Sequence, residues 1–160
     1  MNRILLTGFE GKNNSSDMII EKVSTPCRKL ILPDDKEKSA ELLHKTLGDK
    51  GITCVVMLGQ KPCIKRKIAV EPEAGRNGDV LHTSMDCTVC VEKIRALGYD
   101  AYISRGCGNS YCNNIYYECL GTGVNCIFLH VPTMDNIPDK KEIVKVIEKF
   151  LDEISGIPAV

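Results

Sequence analysis

The stretch Ser104-Arg105-Gly106-Cys107-Gly108-Asn109-Ser110-Tyr111-Cys112-Asn113-Asn114-Ile115-Tyr116-Tyr117-Glu118-Cys119-Leu120 decides how the chain is read. Gly106 and Gly108 permit a tight turn with positive φ. Ile115, Tyr116, Cys119 and Leu120 then recur at helical spacing. A turn feeding a helix puts Cys112 in the first helical turn, where free backbone N–H groups and the positive end of the helix dipole meet. That position favours a thiolate and lowers the thiol pKa. The alternative is a small buried core residue, one among nine cysteines.

Working outward, residues 101–104 read as a strand leading into this stretch, and residues 124–131 as a strand leading away to His130-Val131-Pro132. Further out, residues 3–7, 28–32, 52–58 and 64–70 read as strands; the first and third are apolar enough to be buried on both faces. Gly8-Phe9-Glu10-Gly11 reads as a turn, and Gly59-Gln60 as the C-terminal edge of a central strand. Ser15 or Ser16 can cap a helix carrying Met18, Ile19, Ile20 and Val23. A second helix follows Asp35 with Ala40, Leu43 and Leu47 on one face. Residues 86–97 form a third. Asp139 caps a last helix carrying Ile143, Val146, Ile147, Phe150, Leu151 and Ile154. Residues 71–79, rich in Pro, Gly and charge, read as a loop. Alternating strands and helices imply one domain over residues 1–160, a three-layer α/β/α sandwich with a largely parallel, or mixed, twisted sheet.

Lys plus Arg and Asp plus Glu are 21 each, so the formal net charge is zero. Nothing here favours nucleic acid or a membrane surface as a partner. No apolar run spans a bilayer, and the N-terminus does not read as a signal peptide. An odd cysteine count, with Cys54 and Cys126 inside apolar runs, suggests reduced thiols in a cytoplasmic protein.

A cysteine nucleophile needs a base. Of three histidines, His44 lies mid-helix among charges and His82 in a loop. His130 stands at a strand C-terminus, where open α/β sheets collect functional groups, although a histidine after an apolar run also serves as a satisfied core residue. Cys87-Thr88-Val89-Cys90 has the spacing of a redox or zinc motif, with helix packing as the plain alternative.

Four patches resemble pyroglutamyl peptidase I, a family of cysteine peptidases. Thr7-Gly8-Phe9-Glu10 is similar to its opening Thr-Gly-Phe-Glu, and Leu58-Gly59-Gln60 to its Gly-Gln. Cys107-Gly108-Asn109-Ser110-Tyr111-Cys112-Asn113 is similar to its Ala-Gly-Thr-Tyr-x-Cys-Asn, and Phe128-Leu129-His130-Val131-Pro132 to its Phe-Ile-His-Val-Pro. The patches keep the family order. The resemblance implies removal of N-terminal pyroglutamate from peptides by a Glu, Cys, His triad, without metal or cofactor. Cys112 would be the nucleophile and His130 the base and later acid. Phe9 would wall the lactam, and Gln60 with the backbone around Cys112 would hold it. A homo-oligomer is implied by the resemblance alone.

The chain is shorter than a typical member. It also lacks the Pro-Phe-Gly-Gly that follows the opening motif and the Gly-Gly-Arg after Gln60. Matching Lys67-Ile68-Ala69-Val70-Glu71 to the family's Arg-Val-Ala-Ile-Asn puts Arg66 on the catalytic glutamate. Arginine accepts no imidazole N–H, which leaves Glu71 or Glu73 to substitute. Two readings stay open: a peptidase weakened by that loss, and an inactive relative binding a small lactam, a peptide terminus or a protein partner.

Overall fold

Apolar runs with no polar face need cover on both sides, and the three strongest runs form the middle of one sheet. The computed structural model describes residues 3–49, 51–105, 110–157 and 160. In chain order the elements are β1 (Ile4–Phe9), α1 (Ser15–Lys22), β2 (Arg28–Leu32), α2 (Lys36–Leu47), β3 (Cys54–Lys61), β4 (Lys67–Glu71), β5 (Glu73–Arg76), β6 (Asp79–His82), α3 (Cys87–Ala96), β7 (Asp100–Ile103), α4 (Tyr111–Gly121), β8 (Asn125–Pro132) and α5 (Lys140–Glu153). Among the described residues the main sheet has the order β2-β1-β3-β8-β4-β7. Every pairing in it is parallel except β4 against β8. The sheet is therefore mixed, within the expected three-layer architecture.

Side chains alternate across a strand, and β8 divides the core in two. Cys126 and Phe128 pack with Leu43 of α2 and with Ile115 and Tyr116 of α4. Ile127, Leu129 and Val131 pack with Ile19 of α1, Ile94 of α3 and Ile147 of α5. Each such fully buried aliphatic or aromatic side chain contributes about 1.5–3 kcal/mol. His130, two residues beyond Phe128, belongs to the α2/α4 face.

Several local readings change. Asn14, not Ser15 or Ser16, caps α1, with its Oδ1 accepting from the Ser16 N–H at 3.0 Å. Gly8 and Phe9 continue β1, and Gly59 to Lys61 continue β3, because each keeps its ladder partners. Cys63 and Arg66 both have positive φ, which delays β4 to Lys67. Residues 73–82 are a hairpin, not a loop. Asn77 (φ 50°) and Gly78 (φ 81°) make its two-residue turn, a sequence pair suited to positive φ at both positions. Gly106, Cys107 and Gly108, the expected turn before α4, lie outside the described residues.

Candidate active site

Three strand ends meet beneath the N-terminus of α4. Gly59 of β3 and Ala69 of β4 are both register partners of His130. All three face α2 and α4, the side from which Cys112 approaches. A Cβ placed on Gly59 would sit 2.7 Å from Cys112 Sγ and 2.8 Å from Phe128 Cζ. The missing side chain is what lets the start of α4 reach the sheet. The sulfur thus lies over the strand that pairs with His130, on the same face. Among the described residues no hydrogen bond joins Cys112 to His130. Catalytic contacts are commonly loose before substrate binds.

Glu71 supplies the third group. It lies two residues beyond Ala69 on β4 and so shares its face. Its carboxylate is fully buried, and Oε1 accepts a hydrogen bond from His130 Nδ1 at 2.7 Å. A carboxylate only accepts, so the proton sits on Nδ1 and Nε2 is left as the basic nitrogen. The ring is held on its other side by Phe128, with centroids 4.7 Å apart. Phe128 in turn packs on Tyr116 of α4, whose hydroxyl donates to the Glu71 carbonyl at 2.8 Å. Glu71 and the histidine are therefore braced by the helix that carries Cys112.

This geometry corrects the placement of the acid. Arg66 is exposed and pairs with Glu142 of α5 at 2.8 Å, so it does not stand beside the histidine. Glu73 pairs with His82 on the hairpin. Glu71 takes the position because the strand brings every second residue to the same face, and it is the one whose side chain meets Nδ1. Sequence alone left Glu71 and Glu73 equal; the discriminating fact is the antiparallel register of β4 on β8.

The thiol also behaves differently from the expectation of a helix N-terminus. Burial pushes Cys112 up to about 11; the Ser110 hydroxyl pulls the other way, the Glu71 charge adds to the rise, and the local N–H opposes it. Desolvation outweighs the helix terminus here. Cys112 rests as a thiol, and a thiolate forms only as a base removes its proton.

Beside the sulfur lies a cleft of about 220 Å³ lined by Phe9, Glu10, Asn14, Asp34, Gln60, Ser110, Tyr111 and Cys112. Phe9 and Gln60 both line it. Gln60 Oε1 accepts from the Ser15 N–H at 3.1 Å, which fixes the amide and leaves its NH2 as the donor end. Tyr111 gives the cleft a second aromatic side chain.

The hairpin is tied to α4 next to Cys112. Asn113 accepts from the Gly75 N–H at 2.9 Å and donates to the Gly75 carbonyl at 2.8 Å. Arg76 bonds Asn114 and pairs with Glu118. His44 also bonds Glu118, and His82 sits exposed on β6, so both lie away from the cleft. Among the described residues no group of three or more His, Cys, Asp or Glu side chains is arranged to hold a metal. Burial pushes Cys87 up to about 11 and Cys90 up to about 12, the opposite of a reactive dithiol.

No protein-family model and no curated protein matches the chain. Solved structures do match. The chain is similar to a pyrrolidone carboxyl peptidase from Fervidobacterium islandicum, at a TM-score of 0.86 and 21% identity, covering 98% of this chain and 100% of that one. It is similar to pyroglutamyl peptidase I from Bacillus amyloliquefaciens, at 0.83 and 17%, covering 95% and 94%. Against the pyrrolidone carboxyl peptidase from Thermococcus litoralis the values are 0.80 and 20%, covering 98% and 96%. The fold is that of these peptidases, end to end.

Proposed function

We propose that this protein is a cysteine peptidase that removes N-terminal pyroglutamate from peptides. The observation that carries the reading is the buried Glu71–His130 pair on the sheet face that meets Cys112. Glu71 orients the imidazole and stabilises it once charged. His130 Nε2 takes the Sγ proton as sulfur attacks the scissile carbonyl carbon, and the carbonyl π electrons move onto oxygen. The N–H groups of the first turn of α4, free of intrahelical partners, suit the resulting oxyanion. The imidazolium then returns its proton to the departing amine, leaving a thioester, which water hydrolyses with the same histidine as base. A resting thiol near 11 fits this concerted route better than a stored ion pair. Phe9 and Tyr111 would flank the flat lactam ring, and the Gln60 NH2 would meet its carbonyl.

A non-catalytic relative that binds the same small ligand is the second reading. The unbonded approach of Cys112 and His130 favours it. Buried thiols at Cys90, Cys119 and Cys126 support a reducing, cytoplasmic setting for either.

The test is release of fluorophore from a pyroglutamyl amide by the reduced protein, beside Cys112→Ala. Release that vanishes in the variant supports the peptidase. Equal signals from both proteins at high concentration would sink it and leave the binding reading.

A further inference from the structure

The Glu71 carboxylate is fully buried, yet only one of its oxygens has a hydrogen-bond partner among the described residues. Oε1 meets His130, while Oε2 has none. A buried carboxylate left in that state is expensive unless a cation stands nearby. One does. Lys61 Nζ lies 3.8 Å from Glu71 Oε1, and Nζ also donates to the Ser104 hydroxyl at 3.4 Å. Lys61 is the last residue of β3, paired with Pro132 of β8, and it shares the face of Gly59 two residues earlier. Its side chain is one third exposed, so the ammonium keeps part of its water while it faces the carboxylate.

We propose that Lys61 is the counter-ion of Glu71 and, through it, a positioning residue for His130. The groups that face Glu71 are few. His130 comes from β8, Lys61 from β3 and the uncharged thiol of Cys112 from α4, with the Cys87 thiol near enough to feel its charge. Lys61 is the one permanent cation in that set. Its ammonium faces the same Oε1 that accepts the Nδ1 hydrogen bond, the contact that leaves Nε2 free. At 3.8 Å the contact is a charge pair and not a hydrogen bond. It therefore does not compete with His130 for the Oε1 lone pairs. The Ser104 hydroxyl fixes the ammonium at that distance.

The catalytic half of this inference rests on the peptidase reading; the pairing does not. A double-mutant cycle separates them. Lys61→Met, Glu71→Gln and the double variant are compared with the wild type by melting temperature and by hydrolysis of the fluorogenic pyroglutamyl amide. Lys61→Met keeps the aliphatic stem and removes the charge. We expect it to lower the melting temperature by about 4 °C when Glu71 is present, and to produce no loss in the Glu71→Gln background. In hydrolysis it should lower kcat about tenfold with KM unchanged, and Lys61→Arg should recover part of the loss. Equal melting losses in both backgrounds, or none in either, would overturn the pairing. An unchanged kcat in an active enzyme would overturn the positioning role. If the wild type hydrolyses nothing, the peptidase reading fails, and the melting cycle alone decides whether Lys61 pairs with Glu71.

Discussion

Gly59→Ala is the substitution that most sharply separates folding from chemistry. The added Cβ would stand 2.7 Å from Cys112 Sγ, 2.8 Å from Phe128 Cζ and 3.0 Å from Phe128 Cε1. Ordinary contacts between heavy atoms of this kind lie at about 3.5–4.0 Å. Sulfur or ring must therefore retreat by roughly 1 Å. The Phe128 ring is fully buried between Tyr116 and His130, so it has no free direction. The yielding group is Cys112, at the exposed start of α4. Overpacking of this size costs about 1–3 kcal/mol, a fall in melting temperature of about 2–12 °C for a chain of this length. A displacement of about 1 Å in a reacting atom costs on the order of a hundredfold in rate. Gly59→Ala should therefore fold and lose at least about a hundredfold in kcat/KM on the pyroglutamyl amide. Gly121→Ala, at the far end of α4, is the control, since its Cβ would meet only Leu81 at an ordinary 3.9 Å. It should keep full activity. Wild-type kcat/KM in Gly59→Ala would show that the sulfur does not react from its position above β3.

Three further outcomes follow from the same geometry. Glu71→Gln keeps the shape but allows the wrong imidazole tautomer; kcat should fall by roughly a thousandfold to ten-thousandfold, and a loss below about tenfold would remove Glu71 from the triad. Arg66→Met should leave kcat and KM unchanged, because Arg66 is engaged with Glu142 at the opposite end of β4; a large kcat effect would reinstate it near the histidine. Stability should fall above about pH 9. Burial pushes Cys90 from the ordinary 9.0 up to about 12, and Cys126 well above 9.0. The unfolded chain then releases protons that the folded one retains, and each such thiol removes about 1.4 kcal/mol per pH unit. Urea unfolding at about pH 8 and about pH 10 in reductant measures this, and equal midpoints would contradict it.

The fold was legible because its signals are local and redundant. The β3 and β8 runs are apolar on both faces, α5 repeats its buried positions at helical spacing, and Asp139 caps it where expected. Cys112 and His130 were legible because each stands at an element end facing one sheet edge. The antiparallel insertion of β4 was not legible, since Ile68 and Val70 read the same in either direction. The hairpin was hidden although Asn77-Gly78 is a strong turn pair; charge and Pro72 masked the short strands on either side. The thiol shift was not legible either, because burial depends on Phe128 and on β3 beneath Cys112, residues far away in sequence.

The Glu71–His130 contact is best understood through what β4 has to do. Lys67–Glu71 lies antiparallel to β8, so successive same-face residues run back along β8. Ala69 lies opposite His130, and Glu71 lies opposite Phe128, one same-face step further. A carboxylate there reaches Nδ1 diagonally, from the side away from the mouth of the sheet. A residue at position 66 precedes the first paired residue, and its positive φ turns it out towards α5. The chemistry asks for a carboxylate on the right face within hydrogen-bond reach of Nδ1, and a diagonal strand neighbour meets that demand. The continuation of the chain then adds a constraint. Directly after Pro72, β5 is clamped to Asn113, the neighbour of Cys112. One short segment thus places Glu71 and ties down the helix that carries Cys112, so a change that loosens the hairpin should disturb Glu71 and Cys112 together.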